Sequence, residues 1–214
     1  MGWRDITNST NERTTIAAYV PRAAVGNNLP QMVAVSTVGQ SAGLVATLSS
    51  LACDYVSRIK VAGTHLNYFV YEQLPVLPPS TYDQRTPWNS PSLLEDWVAD
   101  RVDELVYTAW DVQPFALDVG DDGPPFLWDE ERRVWLRAEL DAAYFHLYGL
   151  ERDEVDYILD TFPIVRRKDE ARFGEYRTKR LILETYDAMA KAMATGYAYE
   201  SLLDPPAGDG PRHS

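Results

Sequence analysis

The chain has 214 residues, a formal net charge of −12, one cysteine, and 45% hydrophobic and 12% aromatic residues. That composition excludes a largely disordered protein, and no apolar run approaches the ~20 residues that a bilayer-crossing helix requires. A lone Cys53 cannot close an internal disulfide, and with three scattered histidines it offers no zinc set at ligand spacing.

Taken in chain order, Trp3 to Thr7 and Thr14 to Val20 read as strands, because β-branched and aromatic residues flank a polar turn at Asn8-Ser9-Thr10-Asn11, and a hairpin is expected. Met32 to Val38 reads as a third strand. Ser41 to Ile59 then carries Leu44, Leu48, Leu51, Tyr55 and Ile59 near helical spacing under a Ser41 cap, which predicts a buried helix. Leu66 to Val70 returns to strand character. Pro75, Pro78, Pro79, Pro87 and Pro91 suit neither a central strand nor a helix interior, so a domain edge is expected near residue 80. Beyond it the pattern is helical: Leu93 to Trp110, Asp129 to Tyr148, Asp153 to Thr161 and Glu170 to Tyr199, punctuated by Gly120 to Pro125, Gly149 and Pro163. Residues 205–214 read as a polar tail without fixed structure. The fold class expected is α+β: a small mixed or antiparallel sheet with a packed helix over residues 1–80, and a helical docking or spacer part over 81–204.

Charge divides along the same line. Residues 1–80 hold five Lys or Arg against four Asp or Glu, a balance of +1, and residues 81–214 hold fifteen against twenty-eight, a balance of −13. Within the acidic half, Arg166, Arg167, Lys168, Arg172, Arg177, Lys179 and Arg180 face only Asp169, Glu170 and Glu175, an island of +4. It can grip phosphates or pair with acids on neighbouring helices, and the second role is favoured. Tyr144, Phe145, Tyr148, Tyr157 and Phe162 are expected in an aromatic core.

Two N-terminal stretches carry hydrogen-bonding side chains at short spacing: Arg4-Asp5-Ile6-Thr7-Asn8 with Asn11-Glu12-Arg13-Thr14, Pro21-Arg22 and Gly26-Asn27-Asn28-Leu29-Pro30, then Gly63-Thr64-His65-Leu66-Asn67 with Gln73-Leu74-Pro75. Together they resemble the C-terminal target-recognition region of adenine-N6 DNA methyltransferases and of fused type II restriction-modification enzymes, and are similar to type I specificity-subunit recognition domains. Arg137 to Ala142, Tyr148-Gly149-Leu150, Tyr157-Ile158-Leu159, Phe162-Pro163 and Thr178-Lys179-Arg180 resemble the helical end of those enzymes, so the likeness spans most of residues 3–190. It implies a bacterial phage-defence setting, double-stranded DNA and a DNA methyltransferase domain or subunit as partners, and S-adenosylmethionine as cofactor of that catalytic partner, with no cofactor in this chain.

The candidate DNA-binding residues are Arg13, Arg22, Asn27, Asn28, Arg58, Lys60, Thr64, His65 and Asn67. Arg can fork onto guanine or phosphate, and Asn can pair with adenine; each good bidentate base contact contributes roughly 1–3 kcal/mol of discrimination. Against each stands a turn or cap role, since Asn and Thr also dominate those positions, and Gly26 and Gly63 read as backbone devices. His65 is equally suited to a local hydrogen bond. Weak DNA binding in isolation is expected, because a basic footprint is lacking.

No catalytic set is apparent, so the chain is expected not to be an enzyme on its own. A glycine-rich cofactor loop is missing, and Asp204-Pro205-Pro206-Ala207 lacks the aromatic residue that holds a flipped adenine. Cys53 and His65 share no nucleophile-base motif. The segment from Met1 to Asp5 has no basic region followed by an apolar stretch, so a cytoplasmic setting is expected, and its closeness to the recognition strands suggests a truncated or split gene product. The competing reading is an acidic helical protein-interaction scaffold. A phosphate-mimicking inhibitor of DNA enzymes is a remoter variant, because its acids should be arrayed along one surface.

Overall fold

The computed structural model describes residues 1–33, 36–88 and 91–214. It is mostly helical, 52% of the chain, with a two-stranded antiparallel sheet near the N-terminus and nine α-helices among the described residues. The strands are β1 (Gly2–Trp3) and β2 (Ala17–Ala18), in register Gly2 to Ala18 and Trp3 to Ala17. The expected hairpin is therefore present, but regular pairing is confined to its open end. Toward the turn the chains are held by side chains instead: the Thr7 hydroxyl donates to the Thr14 carbonyl at 2.8 Å, and Asn8 bonds Thr10.

Of the third strand expected over 32–38, residues 34 and 35 lie outside the described residues, Val38 already opens a helix, and a single bridge between Gly2 and Gln31 immediately precedes the span. The expected helix over 41–59 is two, α1 (Val38–Ser49) and α2 (Leu51–Lys60). Thr37 caps the first, not Ser41, and the break at Ser50 has a physical cause. Ser50 is extended, its hydroxyl donates to the Thr47 carbonyl at 2.7 Å and accepts from the Cys53 amide at 3.2 Å, and the freed Leu51 amide donates to Asp141 at 2.6 Å. Serine competing for backbone bonds in this way ends helices that apolar spacing alone would run through.

Leu66 to Val70 is not a strand. Leu66 pairs with Asp5, and Asn67 then caps α3 (Tyr68–Tyr71), accepting from the Val70 amide at 3.1 Å. The β-forming Tyr-Phe-Val-Tyr run is overridden by that cap and by packing: Trp3, 1% exposed, stacks on Tyr71 at 3.9 Å, meets Tyr68 edge-on at 4.8 Å and donates its indole N–H to the Leu66 carbonyl at 2.8 Å. Ala17, Leu48, Cys53, Val61, Leu66 and Leu74 complete this N-terminal core.

In the helical part, α4 (Leu94–Val106) forms most of the helix expected over 93–110 and ends four residues early; α5 (Gln113–Val119) follows beyond that span. α6 (Glu130–Leu147) matches its expected span, with Asp129 accepting from the Arg132 amide as N-cap and Glu130 and Glu131 in its first turn. α7 (Arg152–Asp160) also matches. The stretch expected as one helix from 170 to 199 divides into α8 (Pro163–Phe173) and α9 (Arg177–Thr195), because Gly174 takes φ +76°, a left-handed conformation that closes a helix. The main core joins Ala42, Ala46 and Leu51 of the N-terminal part to Leu94, Val98, Ala143, Leu181 and Met189, so buried apolar contact runs straight across residue 80.

Residues 205–214, expected to lack fixed structure, are bonded along their length. Arg132, paired with the buried Glu104, donates to the carbonyls of Pro205 and Pro206 at 2.7 and 2.8 Å. The Gly208 amide donates to Glu104 at 3.1 Å, Arg212 bonds Asp121 at 2.8 Å and lies 3.7 Å over the Phe126 ring, and the Leu127 and His213 amides bond Pro211 and Pro125. The polar composition that reads as a tail is consumed in these bonds. Truncating Arg132 to Ala strands Glu104, 5% exposed, as an uncompensated charge and removes both tail anchors. The expected loss is about 3–5 kcal/mol in urea denaturation; a loss within about 0.5 kcal/mol contradicts this account of the anchor.

Candidate recognition surface

The N-terminal strand is lined on both edges. One edge faces β2, where the Arg4 amide donates to Ile16. On the other edge two distant segments lie end to end: Trp3 and Asp5 donate to the carbonyls of Pro30 and Asn28 at 3.1 and 3.0 Å, while Leu66 donates to Asp5 at 2.8 Å and Thr7 to Thr64 at 3.0 Å. Asn28, Thr64, His65 and Asn67 thus meet along one exposed margin. His65 Nδ1 sits 2.5 Å from the Asp5 carboxylate with its ring still 57% exposed. Asn67 is occupied as the α3 cap, whereas Asn28 and Thr64 engage only backbone carbonyls in this edge. Arg22 and Asn27 lie on the exposed 21–28 segment leading to it. Lys60, at the end of α2, approaches Gln73 at 3.4 Å.

Arg13 and Arg58 do not belong to that margin. Arg13 donates to the Ser49 carbonyl and so closes the end of α1. Arg58, with its side chain 10% exposed, donates to the fully buried Asp54 at 3.1 Å and to the carbonyls of Asn11 and Glu12 at 2.8 and 2.6 Å, and it lies 4.2 Å over the Phe162 ring. Asp54 also accepts from the Thr15 amide at 2.6 Å, and Thr15 bonds Ser57 at 2.6 Å. These arginines hold the hairpin on α2, with their donors spent on carbonyls and a carboxylate. Asp54 and Arg58 at i and i+4 on a predicted helix were the legible signal of the second pairing.

Five of the seven cations of the basic island are likewise engaged. Arg166 pairs with Glu170, Lys168 with Glu12, Arg177 with Glu131, Lys179 with Asp156 and Asp160, and Arg180 with Glu175 and Glu184. Exposed pairs of this kind contribute about 0–1 kcal/mol each, but they occupy the cations. Of the five aromatic residues expected in the core, Tyr144, Phe145 and Phe162 are fully buried and Tyr148 is half-buried, donating to the Pro75 carbonyl at 2.5 Å; Tyr157 is 63% exposed and points outward.

Cys53 is fully buried, and burial, with Asp54 beside it, pushes its thiol up to about 12. No group of three or more His, Cys, Asp or Glu among the described residues is arranged to hold a metal ion. Asp103 is 4% exposed, and its Oδ1 has no hydrogen-bond partner among the described residues. Burial first, then its hydrogen bond and charge repulsion with Asp121, push its carboxyl up to about 8. Burial also opposes ionisation of Asp121, but bonds from Asp103, the Gly123 amide and Arg212 hold it below the ordinary carboxylate range. Comparison of the chain with protein-family models, with curated proteins and with solved structures finds no match in any of the three.

The Asp103 shift makes stability depend on pH. Its folded-state pKa is raised, so the folded state binds the proton more tightly, and the contribution is complete below about pH 4 and lost as pH rises toward 8. Asp103→Asn, which keeps the shape without the charge, is expected to flatten the decline in unfolding free energy between pH 5 and pH 8. An unchanged slope in chemical denaturation across that range contradicts the assignment.

Proposed function

We propose that this chain is the sequence-recognition module of a DNA methylation system of the restriction-modification kind, acting by binding while an adenine-N6 methyltransferase domain or subunit supplies S-adenosylmethionine chemistry. The observation that carries the reading is the edge on which Asn28, Thr64, His65 and Asn67 meet, since two segments far apart in sequence and both inside the resemblance converge there. Amide, hydroxyl and imidazole groups at an exposed margin suit base edges, which are read by hydrogen bonding more than by net charge. In this reading Arg22 and Asn27 flank the contact and Lys60 approaches from the end of α2. Arg13 and Arg58 shape the surface without touching the duplex.

Of the five cations in residues 1–80, Arg4, Arg13 and Arg58 donate to backbone carbonyls, which leaves Arg22 and Lys60 for phosphates. Each phosphate contact steepens the salt dependence by about 0.9 in a plot of log affinity against log salt. The isolated chain should therefore bind duplex DNA weakly, with a slope of about −2. A different class of reading, a protein-binding scaffold, is favoured by Tyr68 and Phe69, 53% and 75% exposed immediately after Asn67.

Changing Asn28 and His65 together to Ala is expected to weaken duplex binding by at least about tenfold and to erase sequence preference, in line with two lost base contacts, with the melting temperature unchanged. Fluorescence anisotropy on a randomised duplex pool at low salt, followed by sequencing of the bound fraction, checks both. Binding and preference that survive the double variant reject the DNA-reading edge, and loss of a protein partner in the variants Tyr68→Ser and Phe69→Ser supports the scaffold in its place.

A further inference from the structure

Between the hairpin and helices α1, α4, α6 and α9 lies a cavity of about 570 Å³. Its walls are largely apolar, including Val45, Val102, Leu105, Leu140, Leu181 and Ile182. Three arginines are among the lining residues: Arg13 from the hairpin, and Arg133 and Arg137 one turn apart on α6. Arg133 is 8% exposed; one of its terminal nitrogens donates to the Leu105 carbonyl at 2.9 Å and its plane lies 3.6 Å over Trp128, yet its buried Nε has no hydrogen-bond partner among the described residues. Burial, followed by repulsion from Arg137, lowers its pKa to about 10. The lining also holds two acids: Asp141, which accepts from the Leu51 amide and whose charged form is favoured by Arg13 and Arg137, and Glu12, which pairs with Lys168.

Two guanidinium groups one helical turn apart, one buried and one exposed, can converge on a single anion beside apolar walls. A buried guanidinium N–H without an acceptor is destabilising, and an anion entering the cavity would supply one. The size argues for a small molecule over a docked helix, because a helix some 10 Å across fills roughly 400 Å³ per turn and the cavity would take little more than one turn. It lies inside the range of about 300–1,000 Å³ typical of small-ligand sites, which combine apolar walls with a few convergent polar groups.

We propose that this cavity binds a small amphipathic anion, an alkyl or aryl body seated against Val102, Leu105 and Leu181 with a carboxylate or phosphate head held by Arg133 and Arg137. The site is separate from the recognition edge, and its position between the hairpin and the helical part lets occupancy stabilise the contact of one with the other.

Calorimetric titration with octanoate, octyl phosphate and 1-octanol tests it. The two anions are expected to bind at one site per chain, the tighter one identifying the preferred head group, and 1-octanol is expected to bind at least tenfold more weakly. Arg137→Ala, a change at an exposed position, should weaken the anions at least tenfold and leave 1-octanol unaffected. Val106→Phe, which fills the cavity, should abolish all three while far-ultraviolet circular dichroism stays native. Equal binding of alcohol and anions, or anion binding indifferent to Arg137→Ala and Val106→Phe in folded protein, overturns the proposal. No binding of either anion to the wild-type chain at millimolar concentration overturns it as well.

Discussion

The N-terminal half of the molecule depends on one buried carboxylate. Asp54 has no solvent exposure, so its charge must be met inside the protein, and it is met by the Thr15 amide and by Arg58. Arg58 then spends its remaining donors on Asn11 and Glu12, the carbonyls of the hairpin turn. A charge on α2 thereby fixes where the hairpin lies, and with it the strand whose outer edge gathers residues 28–32 and 64–66. Among the described residues, four pair as regular sheet. Side-chain bonds do the positioning that a larger sheet would otherwise supply.

This arrangement sorts the arginines and asparagines of the N-terminal half by burial. Arg13 and Arg58 are structural because a guanidinium with several donors is the group best able to collect unpaired carbonyls at a helix end and a turn. Asn28 and Thr64 stay at the margin because their backbone carbonyls complete the edge, and His65 bonds Asp5 there with its ring more than half exposed. The acidic half follows the same economy. Several of its cations pair with carboxylates on the same or neighbouring helices, and the buried pairs Arg101–Glu139 and Arg132–Glu104 bind α4, α6 and residues 199–208 together. Net negative charge is therefore spread over helix surfaces and internal pairs, without a basic groove.

What the sequence made legible follows local physics. α6 and α7 were readable to within a residue, since acidic first turns and apolar spacing agree there. The hairpin was readable from its polar turn. The division of α1 from α2 needed the bonds of Ser50 and that of the Leu51 amide to Asp141, 90 residues away, and α3 needed the stacking of Tyr71 on Trp3. Long-range contacts of this kind leave no local pattern. For the candidate surface, residue types pointed to recognition, but only packing separates Arg58, which faces inward, from His65, which faces out. Asp5, the partner of His65, and Thr15, the partner of Asp54, carried no signal beyond their chemistry. The tail misled because ten polar, proline-rich residues look alike whether they are solvated or bonded to Arg132, Asp121 and Glu104.

Hydrogen exchange on the wild-type chain and on Arg58→Ala tests the central claim most directly. If the Asp54 and Arg58 pair holds the N-terminal edge, the amides of Arg4, Asp5, Thr15 and Leu66 are protected in the wild type and lose that protection in the variant, while amides within α6 and α9 keep theirs. Edge amides equally protected in both proteins, or a uniform loss across all helices, contradict it.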